Sequence, residues 1–415
     1  MRTLELTREQ EELRDAVRAV LARHPGHTAW APLTAQIGAA ALAVPEEYGG
    51  LGCGPAEVGV VMAELGRALS PVPYLGSAVL TVAALLASGD REACAKHLPH
   101  LAEGTVVGAL AWAEASSDPL APGGGWEPGD LSARAEPARA DWLLTGTKRY
   151  VLAGPGEPSL LLAFAWMDPA PGPATGPDTG SGVGADVERG ADADRTTAPG
   201  TPVPPGQGLG VRRLGLFELL AAPAAFTVRS TMDRTRPLAE LTLDRTPARL
   251  LSADGAGVLA RVRDLACTAL AAEQAGAAAR SLEVTVRYAK ERVQFGRPIG
   301  SFQAVKHRLA DLHTAVEGAR SLALAAAAAD AAPEAAAAAK SACSEASAYV
   351  AGEVIQLHGG IGITWEHEAH EYFKRAHGSA LLFGSPAAHR ERLAARLGFL
   401  PNDVMEVTGC RTLGP

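Results

Sequence analysis

The sequence lacks the features by which secreted, membrane-spanning and zinc-binding proteins are usually recognised. Its five cysteines are dispersed and none lies in a CxxC pattern, which indicates reduced thiols and not a disulfide framework or a zinc site. Charged residues interrupt every apolar run before it reaches about 18 residues, so we expect no transmembrane helix. The first ten residues have no apolar core of the kind found in signal peptides. We therefore expect a cytoplasmic protein with no membrane partner.

The chain also lacks an excess of positive charge. Its 38 Lys and Arg residues are outnumbered by 46 Asp and Glu residues, giving a formal net charge of −8. Binding of nucleic acid needs a basic surface, so we do not expect nucleic acid as a partner. No metal is expected either, because His367 and His370 are only three residues apart, one fewer than in the His-Glu-x-x-His zinc pattern.

What the chain does have is length and a change of pattern along it. Its 415 residues, 47% of them hydrophobic, are enough for two or three domains with a substantial core. Residues 1–104 show helical spacing, and Thr7 with Gln10 forms a capping box. Residues 105–252 contain short β-rich runs between turn residues. Within them, residues 168–208 are rich in Pro, Gly, Asp and Thr, which predicts a flexible surface insertion.

Residues 253–415 return to helical spacing. The pattern predicts long helices joined by short connections, which form an antiparallel bundle. The four predicted helices are Val258–Glu291, Gln303–Ala329, Glu334–Leu357 and Glu368–Leu382. Just before this region, the run Asp233–Arg236 is interpreted as a salt-bridge group in a loop at the domain junction, without a role in chemistry.

The joint between the first two helices of this bundle carries the most specific motif. Arg292, Phe295 and Gln303 lie around a tight turn that contains glycine. A guanidinium pairs bidentately with phosphate, a ring can lie against another ring, and an amide both donates and accepts hydrogen bonds. Together they predict a binding site for a large, flat ligand that carries phosphate.

A second motif follows the third helix of the bundle. Gln356 precedes Gly359 and Gly360, and glycine lets a ligand approach the backbone closely. The alternative interpretation of a Gly-Gly pair at this place is an ordinary helix C-cap.

These two segments closely resemble the Arg-x-x-Phe and Gln-x-x-Gly-Gly-x-Gly motifs of the acyl-CoA dehydrogenase family. The resemblance implies an α+β fold: an N-terminal helical domain, a middle β-barrel or sandwich, and a C-terminal four-helix bundle. In that family the motifs bind the ADP half of an FAD that belongs to the adjoining subunit. The residues to which this cofactor role transfers are Arg292, Phe295, Gln303, Gln356, Gly359 and Gly360, with Tyr150 at the place of the family's aromatic residue beside the flavin.

The resemblance also implies a reaction and partners. It implies FAD-dependent α,β-dehydrogenation of an acyl thioester, bound to CoA or to a carrier protein, in a homo- or hetero-oligomer. An electron-transfer partner would reoxidise the flavin. The family's reaction needs a carboxylate base to remove the proton beside the thioester carbonyl.

The base is missing from both places where the family carries it. Counting along the motifs places Phe383 at the more common position and Ala266 at the other. Glu273 lies two helical turns beyond Ala266 on the same helix face and is the best remaining candidate. Its alternative interpretation is a charge on a helix surface or at an interface.

Three functions remain open from the sequence. The chain could be an acyl thioester dehydrogenase with an unusual base, for which Glu273 is the candidate. It could be a redox-inert subunit of a heteromeric dehydrogenase in which another chain supplies the base. It could also be a relative in which reduced flavin reacts with O2, so that no base is needed.

Overall fold

The computed structural model describes residues 5–114, 126–139, 141–154, 156–168 and 212–399. Apart from residue 168, the predicted insertion at 168–208 lies outside the described residues. Helices occupy the chain as far as Glu103, strands lie between Gly108 and Ser252, and helices resume at Gly255. This order confirms the predicted α+β class. The domain boundaries after residues 104 and 252 stay a prediction.

The N-terminal part is built from helices around a shared apolar core. The Thr7 hydroxyl accepts a hydrogen bond from the Gln10 backbone N–H while the Thr7 N–H donates to the Gln10 side chain, which confirms the capping box. A π-helical segment, Leu75–Thr81, runs directly into the fourth helix. The helices are α1 Arg8–Arg23, α2 Trp30–Ala35, α3 Pro55–Arg67, α4 Val82–Ser88 and α5 Arg91–Glu103.

The middle part is one sheet that closes on itself. The order β1-β4-β2-β3-β7-β5 continues through a pairing of β5 with β4, and β6 adds to β7. Ring closure of this kind agrees with the predicted β-barrel and leaves few free edges. The strands are β1 Gly108–Ala111, β2 Arg134–Ala138, β3 Asp141–Val151, β4 Leu160–Met167, β5 Arg213–Leu219, β6 Ala225–Arg229 and β7 Leu238–Ser252.

The C-terminal part is a helical bundle with one helix more than predicted. The described helices are α6 Gly255–Glu291, α7 Gln303–Ala328, α8 Pro333–His358, α9 Ala369–Leu381 and α10 Pro386–Arg396. Sequence reasoning missed α10 because its buried face contains a histidine, His389, in place of aliphatic residues. The two-residue strands β8 Val293–Gln294 and β9 Arg297–Pro298 form a hairpin between α6 and α7.

Helices α3 and α6 pack backbone to backbone because glycines face the contact. A Cβ atom on Gly276 would lie 2.0 Å from the Ala63 carbonyl oxygen, and one on Gly66 would lie 2.1 Å from the Glu273 carbonyl oxygen. This close approach positions the backbone of Glu273 against α3. The packing of the N-terminal helices against α6 therefore depends on small residues at the crossing.

We expect Gly276→Ala to lower the free energy of unfolding by about 1–3 kcal/mol, because the added methyl group must push the two helices apart. Gly318→Ala on α7 is the matched control, since its Cβ would meet nothing within 4 Å. That substitution should raise helix stability by up to about 1 kcal/mol. Urea unfolding followed by circular dichroism measures both, and equal effects would contradict the packing argument.

Among the described residues, no helix combines the length and apolar character that crossing a lipid bilayer requires. The same residues contain no cluster of three or more His, Cys, Asp or Glu side chains that could hold a metal ion.

Candidate functional site

The Arg292 motif forms an exposed turn at the end of α6. Phe295 sits in the β8–β9 hairpin with φ 54° and is 92% exposed, so its ring faces away from the chain's own core. Arg292 and Gln303 are exposed as well. A large aromatic ring with this exposure is available for contact with a ligand or with another chain.

The Gly359–Gly360 turn lies at the same end of the bundle. Tyr288, one helical turn before Arg292, stacks on His358 with ring centroids 4.5 Å apart and donates a hydrogen bond to the His358 carbonyl oxygen at 3.4 Å. A Cβ atom on either glycine would meet nothing within 4 Å, so the backbone is open to a ligand.

Gln356 is also exposed, one turn before these glycines. The structure thus brings the two motifs together, with an exposed cation, an exposed ring and an open backbone. These are groups that suit the ADP half of FAD, although the assignment of the individual residues stays a prediction.

Phe383, at the position predicted for the more common base, is an aromatic side chain packed against other aromatic rings. Phe383 is 2% exposed, and its ring centroid lies 5.4 Å from that of Trp112 and 5.0 Å from that of Trp126. Trp126 in turn lies 6.3 Å from Tyr150, the residue predicted to lie beside the flavin. We call Trp112, Trp126, Tyr150 and Phe383 the aromatic cluster. It offers no carboxylate at this position.

Two buried basic side chains hold the turn that carries Phe383. The Lys340 ammonium donates to the carbonyl oxygens of Ala380 at 3.0 Å and Gly384 at 3.2 Å, while His389 Nε2 lies 2.9 Å from the Phe383 carbonyl oxygen. Desolvation lowers the pKa of Lys340 to about 8 and that of His389 to about 3. His389 is therefore neutral. Phe383 has φ 61° in this turn. The contacts of Lys340 and His389 with carbonyl oxygens hold the backbone of the turn in place.

The second predicted base position also carries no carboxylate. Ala266 and the adjacent Cys267 are both fully buried in α6. The Cys267 sulfur lies 3.7 Å from His389 Nε2, and burial raises the pKa of this thiol to about 11. The thiol stays protonated at neutral pH and supplies no base.

Glu273 is part of a buried ion-pair network. It is 4% exposed, which corrects its interpretation as a helix-surface charge. Arg375 Nη1 donates to its Oε1 at 2.5 Å, Arg236 Nη2 donates to its Oε2, and Arg375 Nε donates to Asp233 at 2.8 Å. The interpretation of Asp233–Arg236 as a salt-bridge group is thereby confirmed.

This geometry argues against Glu273 as the base. Each carboxylate oxygen of Glu273 already accepts a hydrogen bond from a guanidinium, which is the arrangement of a structural ion pair. The sequence assignment rested on helical spacing, which gives the face of a residue but not its partners. The geometry favours a structural cross-link between α6, α9 and the β6–β7 connection.

Sequence reasoning missed several groups around these positions. Trp126 and His389 carry no local motif, and Lys340 was passed over within an alanine-rich helix. A single lysine in such an apolar stretch is a signal that could have been used, because a lysine is rarely fully buried without a specific partner.

The chain matches two family models. The acyl-CoA dehydrogenase N-terminal domain matches residues 7–105, and the acyl-CoA dehydrogenase C-terminal domain matches residues 254–398. Among curated proteins, acyl-CoA dehydrogenase IpdE2 of Mycobacterium tuberculosis is 37% identical over 404 residues, covering 94% of this chain and 97% of that protein. IpdE2 of Mycolicibacterium smegmatis is 34% identical over 407 residues, covering 94% of this chain and 100% of that protein.

Solved structures agree with these matches. A variant of the steroid acyl-CoA dehydrogenase Tcur3481–Tcur3483 has a TM-score of 0.71 and 29% identity, covering 94% of this chain and 98% of that one. The ChsE4–ChsE5 complex of Mycobacterium tuberculosis has a TM-score of 0.75 and 25% identity, covering 96% of this chain and 100% of that one. On the strength of the two domain models and of full-length relatives above 30% identity, this chain belongs to the acyl-CoA dehydrogenase family.

Proposed function

We propose that this chain is a subunit of an FAD-dependent acyl-CoA dehydrogenase that catalyses α,β-dehydrogenation of an acyl thioester together with a second, different chain. This chain would provide the ADP-side face of the flavin site, and the second chain would provide the carboxylate base. The observation that carries the proposal is Phe383, which lies in the aromatic cluster where the base is expected.

The exposed motif supports the part assigned to this chain. FAD, when bound, supplies the hydride acceptor for the reaction. Arg292 would pair with its diphosphate, Phe295 would lie against a ring, and the open backbone at Gly359 and Gly360 would allow close approach. Gln303 and Gln356 would donate or accept the remaining hydrogen bonds.

The names of two similar structures support a partner of different sequence. One carries the paired name Tcur3481–Tcur3483, and the other is named as the ChsE4–ChsE5 complex. The family's chemistry needs one base for each reacting thioester, so a chain without this group can take part only when another chain supplies it. A dehydrogenase that acts alone through Glu273 is the competing proposal.

Purification of the chain alone and with a second family member that carries the glutamate separates the two proposals. We expect the chain alone to retain little flavin and to show no bleaching of flavin absorbance when a panel of saturated acyl-CoAs is added under anaerobic conditions. The co-purified pair should retain flavin and bleach. Stoichiometric flavin in the single chain, bleached by an acyl-CoA, would overturn the two-chain proposal.

A second experiment measures the dehydrogenation rate of the co-purified pair when this chain carries Glu273→Gln. If Glu273 is a cross-link, the rate per folded assembly should change by less than about threefold, because a lost general base costs about 100-fold or more. A loss of that larger size with folding intact would identify Glu273 as the base.

A further inference from the structure

A cleft with apolar walls lies between the N-terminal helices and the first half of α6. Val79, Val82 and Ala83 line it from one face of the π-helical segment and α4, and Val58 of α3 and Ala269 of α6 complete the deep wall. These five residues are at most 7% exposed. The free volume of the cleft is about 170 Å³. The chain therefore keeps an apolar space open instead of filling it with its own side chains.

The mouth of the cleft carries two charged residues that neutralise each other. Arg261 donates to the Asp330 carbonyl oxygen at 2.9 Å and to the Asp330 carboxylate at 3.1 Å. The two side chains are 41% and 74% exposed, and the half-buried Leu86 and Leu265 lie beside them in the lining. The mouth is thus open to solvent, and its charges do not call for an ionic ligand.

Cys53 borders the cleft from the loop that precedes α3. Its thiol is half-buried and donates to the Leu51 carbonyl oxygen at a distance of 3.7 Å. Burial raises the pKa of this thiol, so it is uncharged at neutral pH and adds no charge to the wall. Cys94, Cys267 and Cys343 are buried, so Cys53 is the more accessible thiol of these four. Its reactivity can report whether the cleft is occupied.

We propose that this cleft is a binding site for an uncharged, apolar group of about six non-hydrogen atoms. A water molecule takes up about 30 Å³ in the liquid, and benzene binds apolar cavities of about 150 Å³. Water in the cleft meets only aliphatic side chains on the deep wall, so an apolar group that displaces it gains affinity. Binding also removes the apolar surfaces of the ligand and of the wall from water.

This site does not depend on the proposed function. None of its lining residues is among those predicted to hold FAD, and none belongs to the aromatic cluster. The apolar group could be a free small molecule or the alkyl end of a longer one. In the second case the polar end of the ligand would leave the cleft past Arg261 and Asp330 and remain in solvent.

The probes are benzene and sodium octanoate, each titrated by calorimetry into the full-length chain without flavin. We expect saturable binding and a rise in the thermal unfolding midpoint, because a ligand that binds only the folded state stabilises it. Saturable binding of octanoate indicates the alkyl end of a longer molecule. Binding of benzene alone indicates a free small molecule.

Ala83→Leu tests the location by filling the cleft. Leucine adds three non-hydrogen atoms to a space for about six, so the dissociation constant of either bound probe should rise by about tenfold or more. Ala87→Leu is the matched control, because Ala87 lies one turn further along α4, is half-buried and does not line the cleft. Circular dichroism shows whether both variants are folded.

Labelling of Cys53 by iodoacetamide tests the location in the unaltered chain, with peptide mass spectrometry to separate Cys53 from the other cysteines. At a probe concentration about ten times the dissociation constant, about nine-tenths of the sites are filled, so the labelling rate should fall about tenfold.

Three results would overturn the proposal. The first is the absence of saturable binding of both probes to the unaltered chain. The second is an unchanged labelling rate of Cys53 when a probe is bound, which would place the probe elsewhere. The third is equally tight binding by folded Ala83→Leu and Ala87→Leu. If Ala83→Leu does not fold, the labelling rate of Cys53 decides the question.

Discussion

Arg375→Met is expected to lower the free energy of unfolding by about 3–5 kcal/mol. Arg375 is 2% exposed, and its guanidinium donates to Asp233 at 2.8 Å and to Glu273 at 2.5 Å. It also donates to the Thr235 carbonyl oxygen at 2.8 Å. Methionine fills a similar volume but leaves two buried carboxylates with one cation fewer between them. Urea unfolding followed by circular dichroism measures the loss.

The control for this substitution is Arg390→Met. Arg390 pairs with Glu345, and both side chains are more than half exposed, at 54% and 55%. An exposed pair contributes at most about 1 kcal/mol, so this substitution should have a small effect. If Arg375→Met destabilises the chain no more than Arg390→Met does, the buried network does not hold α6, α9 and the β6–β7 connection together.

The ion-pair network contains long-range contacts that the sequence alone could not predict. Asp233 and Arg236 are close in sequence and were recognised as a salt-bridge group. Their partner Arg375 lies 142 positions from Asp233, and nothing in a local pattern connects the two. For the same reason Glu273 could be placed on a helix face but not between two arginines.

The long helices were the most predictable elements. Their signal is a spacing repeated over many residues, and the second helix of the bundle, predicted as Gln303–Ala329, is observed as Gln303–Ala328. The strands were less predictable. Sequence reasoning missed β2, Arg134–Ala138, because only its alanines turn inward and Pro137 interrupts the pattern.

The residues of the candidate site also differ in how far the sequence alone could identify them. Arg292, Phe295 and the glycines lie in turns whose conformation is set by adjacent residues, so a motif can identify them. Counting along the chain showed that a carboxylate is missing at Phe383. What replaces it depends on Trp112 and Trp126, which reach it only through the closed sheet and its contact with the bundle.

Arg292→Gln is expected to weaken FAD binding by the co-purified pair by about tenfold to a hundredfold. The prediction follows from the proposed function: a hydrogen bond between a charged donor and phosphate contributes about 1.5–3 kcal/mol, and glutamine keeps a donor but not the charge. FAD is titrated into the flavin-free pair, and binding is followed by the change in flavin fluorescence, so that no turnover is required.

Arg320→Gln is the charge-matched control for this variant. Arg320 lies on α7, its side chain is 51% exposed, and it pairs with Glu317 one turn away. Arg292 is also exposed and lies just beyond α6, so its replacement should cost little stability of the chain itself. Gel filtration of each variant with its partner shows whether the assembly forms. An intact Arg292→Gln assembly that binds FAD as tightly as the Arg320→Gln assembly would remove Arg292 from the flavin site, whereas loss of the assembly itself would place Arg292 in the contact between the chains.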